Sequence, residues 1–293
     1  MFLFPPFCYG IILFPQAEPN TLWTGKPGGN VVGRWGANAS CVAISPFHVI
    51  TAKHAGGGVG TSVVIGGIFY EVIDYFPHFS ADISVSRLDG VLEGYVNIYE
   101  NSDLLEGEEM VLGGYGVGRG NEIYKSGYGF GGLIGWQWGS GGNIVQGWGT
   151  NKMVRYWDDR ILMDFDMLGL SESSIYECCL TLYDSGCGLF KFCNDQWYVT
   201  GVGATSSNYT YPNSSVFDYR ITNMGFVRID TYYEWICGII YYDADFNKDF
   251  KINMKDFSIL SSGWLGSGVS DLDGDNIVDI LDLVIFSEFW LQY

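Results

Sequence analysis

Apolar runs in this chain are short and separated by glycine, and this restricts the fold more than any other feature. Cys41–Ser45, His48–Ala52, Ser62–Ile65, Ile83–Leu88, Met110–Gly113, Ile161–Phe165 and Trp197–Val202 are apolar or alternating and end in turn-forming residues. Runs this short suit strands, not helices, and their frequency suits a sandwich or barrel. With 41 Gly, 20 Tyr, 19 Phe and 10 Trp among 293 residues, the composition agrees with a turn-rich β protein. Gly113–Gly149 has no clean period and reads as long hairpins or loops. Val227, Ile229, Tyr232, Tyr233 and Ile236 fall at helical spacing, which predicts a short amphipathic helix over Val227–Ile236.

The formal charge is −18, from 33 acidic and 15 basic residues. A chain so acidic offers no basic face for a phosphate backbone, which excludes nucleic acid as the expected partner. Residues 243–293 alone carry ten acidic and three basic side chains. The composition therefore changes near residue 240, and the first domain is expected to span 18–238 with a second over 243–293.

Residues 1–17 contain no charged side chain, and Cys8–Phe14 is apolar up to the small Ala17. This is similar to the hydrophobic part of a secretory signal peptide cleaved near Ala17, and it implies a secreted or cell-surface protein. The other reading is a buried N-terminal strand. No later stretch reaches the ~20 apolar residues of a transmembrane span. Seven Cys are present; removal of Cys8 leaves Cys41, Cys178, Cys179, Cys187, Cys193 and Cys237. Disulfides and buried thiols both remain open, whereas zinc lacks its paired Cys-x-x-Cys units.

Three segments carry the chemistry. Thr51-Ala52-Lys53-His54 ends an apolar strand on an imidazole, Ala81-Asp82-Ile83 opens an alternating strand with a carboxylate, and Asp184-Ser185-Gly186 sets a hydroxyl in a tight turn. A serine hydroxyl needs a neutral imidazole to take its proton. The imidazole needs a carboxylate to fix its tautomer. In this order, with Tyr233-Glu234-Trp235-Ile236 near the end and Tyr198–Gly203 after the serine, the segments resemble chymotrypsin-like serine proteases over roughly residues 30–237.

That resemblance implies a double six-stranded β-barrel acting on polypeptide substrates. His54 would be the general base, Asp82 its orienting partner and Ser185 the nucleophile. The backbone N–H groups of Tyr183 and Ser185 would form the oxyanion hole, and Asp184 would brace the turn. Cys179, Ala204, Thr205 and Ser206 would line the substrate pocket, which carries no charge and suits a small or medium side chain. His48 and His78 read as structural. Tyr183, Cys187 and Ala204 depart from the family pattern, Tyr183 at a backbone position that favours glycine. These departures motivate the alternative of a catalytically inactive protease fold serving as a binding or scaffold module. A calcium-dependent adhesion protein, with the barrel as spacer, is a second alternative.

The acidic C-terminus repeats a twelve-residue register. Asp245, Asn247, Asp249, Asn253 and Asp256 recur as Asp271, Asp273, Asp275, Asp279 and Asp282, at positions 1, 3, 5, 9 and 12. Oxygen ligands so spaced wrap a chain around one hard cation, with the carbonyls of Lys251 and Ile277 at position 7. Apolar residues at helical spacing follow each loop. The pair resembles a type I dockerin, which implies calcium as cofactor and a cohesin-like or surface partner. Position 6 needs a left-handed backbone; it is Phe250 in the first loop and Asn276 in the second, so the second loop fits better.

Overall fold

The computed structural model describes residues 11–14, 25–127, 130–139, 145–207, 216–218, 223–240, 244–247 and 252–290. After a two-residue strand β1 (Ile12–Leu13), six strands follow: β2 (Val32–Trp35), β3 (Ala39–Ala43), β4 (His48–Thr51), β5 (Ser62–Ile65), β6 (Ile68–Pro77) and β7 (Ser84–Leu88). They close into an antiparallel barrel in the order β2-β3-β4-β7-β6-β5. Val42 opposite Ile50 and Ile50 opposite Val85 fix the register. A one-residue slip would exchange these side chains with those of the barrel interior, since both faces of these strands are buried. Trp35, Cys41, Val49, Val63, Val72 and Leu88 fill the interior.

A second set comprises β8 (Asn97–Ile98), β9 (Glu109–Gly114), β10 (Arg119–Tyr124), β11 (Leu133–Trp138), β12 (Gly147–Trp157), β13 (Arg160–Asp164), β14 (Cys178–Cys179), β15 (Gly188–Cys193), β16 (Gln196–Ser207), β17 (Val216–Asp218) and β18 (Asn223–Arg228). Strands β15-β9-β12-β13-β18-β16 pair in that order, and β16 returns to β15, closing a second six-stranded antiparallel barrel. Met110, Leu112, Ile161, Met163, Leu189, Met224 and Phe226 occupy its core. The arrangement is the chymotrypsin-like double barrel. Short β8 adds to β16 in parallel. The irregular region expected over Gly113–Gly149 contains the hairpin β10–β11, which β17 extends to a separate three-stranded sheet.

The N-terminal apolar run, read above as a leader or as a buried strand, contributes β1. Ile12 pairs with Cys179 and Leu13 with Cys178. Ile11, Ile12 and Phe14 are buried, and the Phe14 ring meets Trp136 edge-on at 5.7 Å.

The C-terminal helix differs from its expected position. Val227 lies in β18 opposite Arg160 and Val202, and the α-helix α1 runs over Tyr233–Ile240. Val227 and Ile229 are both buried, two residues apart, as on one face of a strand. Their spacing with Tyr232 and Tyr233 mixes two periods.

Two further helices, α2 (Met254–Ser262) and α3 (Ile280–Trp290), form the C-terminal region. Asn253 caps α2, its side chain accepting the Lys255 N–H at 2.9 Å, and Asp256 returns a bond to the Asn253 N–H. Phe246, Phe257, Phe286 and Trp290 stack between these helices. One buried apolar cluster includes Val42, Ile50 and Val85 of the first barrel, and Phe190, Val202 and Val227 of the second. It continues through Ile236 and Ile240 to Ala244, Leu260, Val278 and Phe289. Among the described residues no helix is long and apolar enough to cross a membrane.

Candidate functional site

Both barrels contribute to one cleft. His54 sits in the single helical turn Lys53–Ala55 that follows β4, and Asp82 lies in the loop joining β6 to β7. Ser185 lies in the turn before β15. The Ser40 N–H donates to the Ser185 carbonyl at 2.8 Å and so ties the serine turn to the first barrel. Gly186 follows with φ +85°; a Cβ there would stand 2.1 Å from the Ser40 oxygen and 2.2 Å from Thr51 Oγ1. Only glycine satisfies both demands.

The three side chains form a hydrogen-bonded row. His54 Nδ1 is 2.7 Å from Asp82 Oδ2, and His54 Nε2 is 2.7 Å from Ser185 Oγ. The His54 backbone N–H also donates to Asp82 Oδ1, at 2.8 Å, which fixes the carboxylate against the imidazole at two points. With Nδ1–H donating to Asp82, Nε2 is left to accept from the serine hydroxyl. The bond to Asp82 holds the His54 pKa above its ordinary value. Burial works to raise the Asp82 carboxyl, but hydrogen bonds from His54 outweigh it and hold the group low. A row of this kind can pass the serine proton to the imidazole as Oγ attacks a carbonyl carbon.

Tyr183 adopts φ +75°, the left-handed conformation that glycine takes without strain. Its carbonyl accepts from Ser40 Oγ at 3.2 Å. Among the described residues the N–H groups of Tyr183 and Ser185 have no hydrogen-bond partner. Asp184 is fully buried. It accepts from the N–H groups of Thr181 (2.9 Å), Gly116 (2.6 Å) and Ile11 (3.3 Å) and from Thr181 Oγ1 (2.9 Å). Burial pushes its carboxyl up to about 6 against those donors.

Of the residues expected at the pocket, Cys179 and Ala204 are buried, Ser206 is half-buried and Thr205 is exposed. Ser206 hydrogen-bonds the Cys179 thiol. Met224, which sequence reasoning did not single out, lies opposite Ser206 across β16 and β18 and accepts the Leu180 N–H on its sulfur at 3.2 Å. Its only sequence signal is a place in an apolar strand. Cys41, Cys178, Cys179 and Cys187 are buried free thiols, and Cys193 is a half-buried one.

His48 is buried with Nδ1 2.8 Å from Ser45 Oγ, and burial, with Arg87 second, lowers its pKa to about 3. It lies away from the row, within the pairing of β4 and β7. His78 is also buried but stands at the start of the Asp82 loop.

In the second acidic loop the carboxylates of Asp271, Asp273 and Asp275 gather within 4.8 Å of one another, a cluster able to coordinate a divalent cation. Asn276 has φ +72°, the left-handed conformation expected at position 6. The Asp275 N–H works to lower the Asp273 carboxyl, but desolvation and the charges of Asp275, Asp282 and Asp271 push it up. Asp282 is not part of that cluster. It is buried and accepts the N–H groups of Leu272, Asp273 (3.2 Å) and Asp279 (2.7 Å). Ile277 donates its N–H to Asp275 at 2.8 Å.

The first loop repeats this hub: buried Asp256 accepts the N–H groups of Asn247 (3.1 Å) and Asn253 (3.0 Å). Asp245 is also buried. Asp249 and Lys251, the remaining expected ligands, lie outside the described residues, as does Phe250.

Compared with protein-family models and with curated proteins, the chain finds no match.

Proposed function

We propose that this protein is a serine endopeptidase that cleaves peptide bonds through an acyl-enzyme on Ser185. The hydrogen-bonded row Ser185–His54–Asp82 carries the reading. Ser185 Oγ attacks the carbonyl carbon while His54 Nε2 takes its proton. His54 then returns that proton to the leaving amine, and water repeats the sequence to free the acid. Asp82 holds the imidazole and stabilises its charged form. The two unpartnered N–H groups of Tyr183 and Ser185 face the need for an oxyanion site, where one donor is worth roughly 3 kcal/mol. Cys179, Ala204, Thr205 and Ser206 border the uncharged substrate pocket. The burial of Ile11–Phe14 as β1 against β14 supports the buried-strand reading of residues 1–17 over that of a cleaved leader.

The C-terminal region reads as a dockerin-like docking module for a cohesin-like or surface partner. Asp271, Asp273 and Asp275, with the Ile277 carbonyl, would hold calcium in the second loop. Bound there, the ion neutralises carboxylates that repel one another without it. Asp245, Asn247 and Asp249, with the Lys251 carbonyl, would serve the first loop, Asp256 holding the backbone as Asp282 does in the second.

The second reading is a protease fold that binds without cutting. One observation favours it: Tyr183 holds the left-handed backbone at a cost of about 1–2 kcal/mol. A fluorophosphonate probe separates the two. Labelling that disappears in Ser185→Ala establishes the hydrolase, whereas folded protein that takes no label establishes the scaffold.

A further inference from the structure

The loop that presents Asp82 has six residues, from His78 to Ile83, and is closed by His78 itself. The His78 N–H donates to the Ile83 carbonyl at 3.0 Å. Its ring turns inward, and Nδ1 accepts two backbone N–H groups, from Ser80 at 3.3 Å and Ala81 at 2.9 Å. Those are the residues immediately before Asp82. One imidazole nitrogen therefore caps the turn from which the carboxylate projects.

The ring is also fastened from outside. Tyr232 and Trp235, at the start of the C-terminal helix, lie 4.7 Å and 4.9 Å from it between ring centroids, and Phe79 lies at 4.6 Å. Lys53, the neighbour of His54, donates Nζ to the His78 carbonyl at 2.8 Å. The segment bearing the imidazole of the row and the segment bearing its carboxylate are thus joined a second time, through His78.

We propose that His78 is a positioning residue for Asp82: its neutral ring, accepting at Nδ1, sets the loop that holds the carboxylate against His54. This rests on the hydrolase reading for its consequence in rate, but not for its geometry. An imidazolium has no acceptor nitrogen, so protonation removes both bonds to the loop. The groups bearing on the ring are Lys53, Asp159 and Tyr232, which donates to Asp159 at 2.8 Å. Glu100, Asp230 and Glu234 line the adjoining cavity. Burial, with the Lys53 ammonium second, holds the ring below the ordinary histidine range, against Asp159.

The test compares the full chain with His78→Leu and His78→Asn, using two readouts. One is the low-field proton resonance of His54 Nδ1–H bonded to Asp82; the other is the rate of fluorophosphonate labelling against pH. Leucine removes the acceptor, so the resonance should vanish or shift and labelling should slow by roughly tenfold or more. Asparagine offers an oxygen to the same two N–H groups and should keep both signals. In the unaltered protein labelling should fall with a slope of one through the His54 titration and then steepen toward two at lower pH. His78→Asn should keep slope one. A folded His78→Leu protein that retains resonance and rate overturns the proposal. If that variant does not fold, a folded His78→Asn protein without the resonance overturns it instead. Unaltered protein that shows the resonance yet takes no label contradicts the hydrolase reading alone, and the variants' resonances still decide the role of His78.

Discussion

The N–H of Leu180 donates to the sulfur of Met224, 3.2 Å away, and both side chains are buried in one cluster with Cys179. A thioether is a weak acceptor, and Met224 shares its buried cluster with Cys179, Leu180 and Cys187. On the hydrolase reading Met224 would close the proposed pocket and make it shallow. The protein should prefer ester or peptide substrates with glycine or alanine on the acyl side. Met224→Ala should shift relative kcat/KM toward leucine and phenylalanine by roughly tenfold or more. It should also cost about 2–5 kcal/mol in denaturant unfolding. An unchanged preference in a folded variant would remove Met224 from the pocket.

The bond from His54 to Asp82 sets the pH response. Because the imidazole pKa is raised, the neutral base becomes available only as pH climbs past its ordinary value of 6.5. Labelling of Ser185 should therefore rise with pH through a midpoint above 6.5. Asp82→Asn removes the charge that raises it, so the midpoint should fall and the rate drop by a factor on the order of 10⁴. Stopped-time labelling across a pH series measures both.

Asp282 and the cluster of Asp271, Asp273 and Asp275 should separate cleanly under calcium titration. With calcium at about 100 times its dissociation constant, unfolding should become harder by about 2.7 kcal/mol, seen as a raised Tm against chelator. The double variant Asp271→Asn, Asp275→Asn should lose that shift and lose nothing without calcium, since it relieves repulsion. Asp282→Ala should be destabilised in both conditions. It strips the acceptor from three N–H groups, at about 1–3 kcal/mol for each one left buried. Equal behaviour of the two variants would show that Asp282 acts only through the ion.

The strands of both barrels were legible because alternation and glycine turns are local signals. Ser62–Ile65 is a strand with the bounds its sequence suggested. The convergence of His54, Asp82 and Ser185 was legible from their order in strand-to-turn contexts. The helix was misplaced because Val227 and Ile229 satisfy both periods, and only pairing with Arg160 and Val202 decides for the strand. Met224 left no local trace, since its bond partner Leu180 is distant in sequence; the turn capped by His78 is local, but the packing of Tyr232 and Trp235 that fixes its ring is not. Whether Cys178 and Cys179 pair could not be read from counting; both are buried free thiols.

The apolar cluster shared by the barrels and the C-terminal helices has a further consequence. Ile236 and Ile240 belong to the same buried cluster as Ala244, Leu260 and Phe289, so the acidic appendage is no detachable tag. Clipping the chain after Ile240 would leave a greasy scar on the barrels. A cation captured by the distant aspartates would reinforce the whole molecule, lending the cleft rigidity from a site that never meets a substrate.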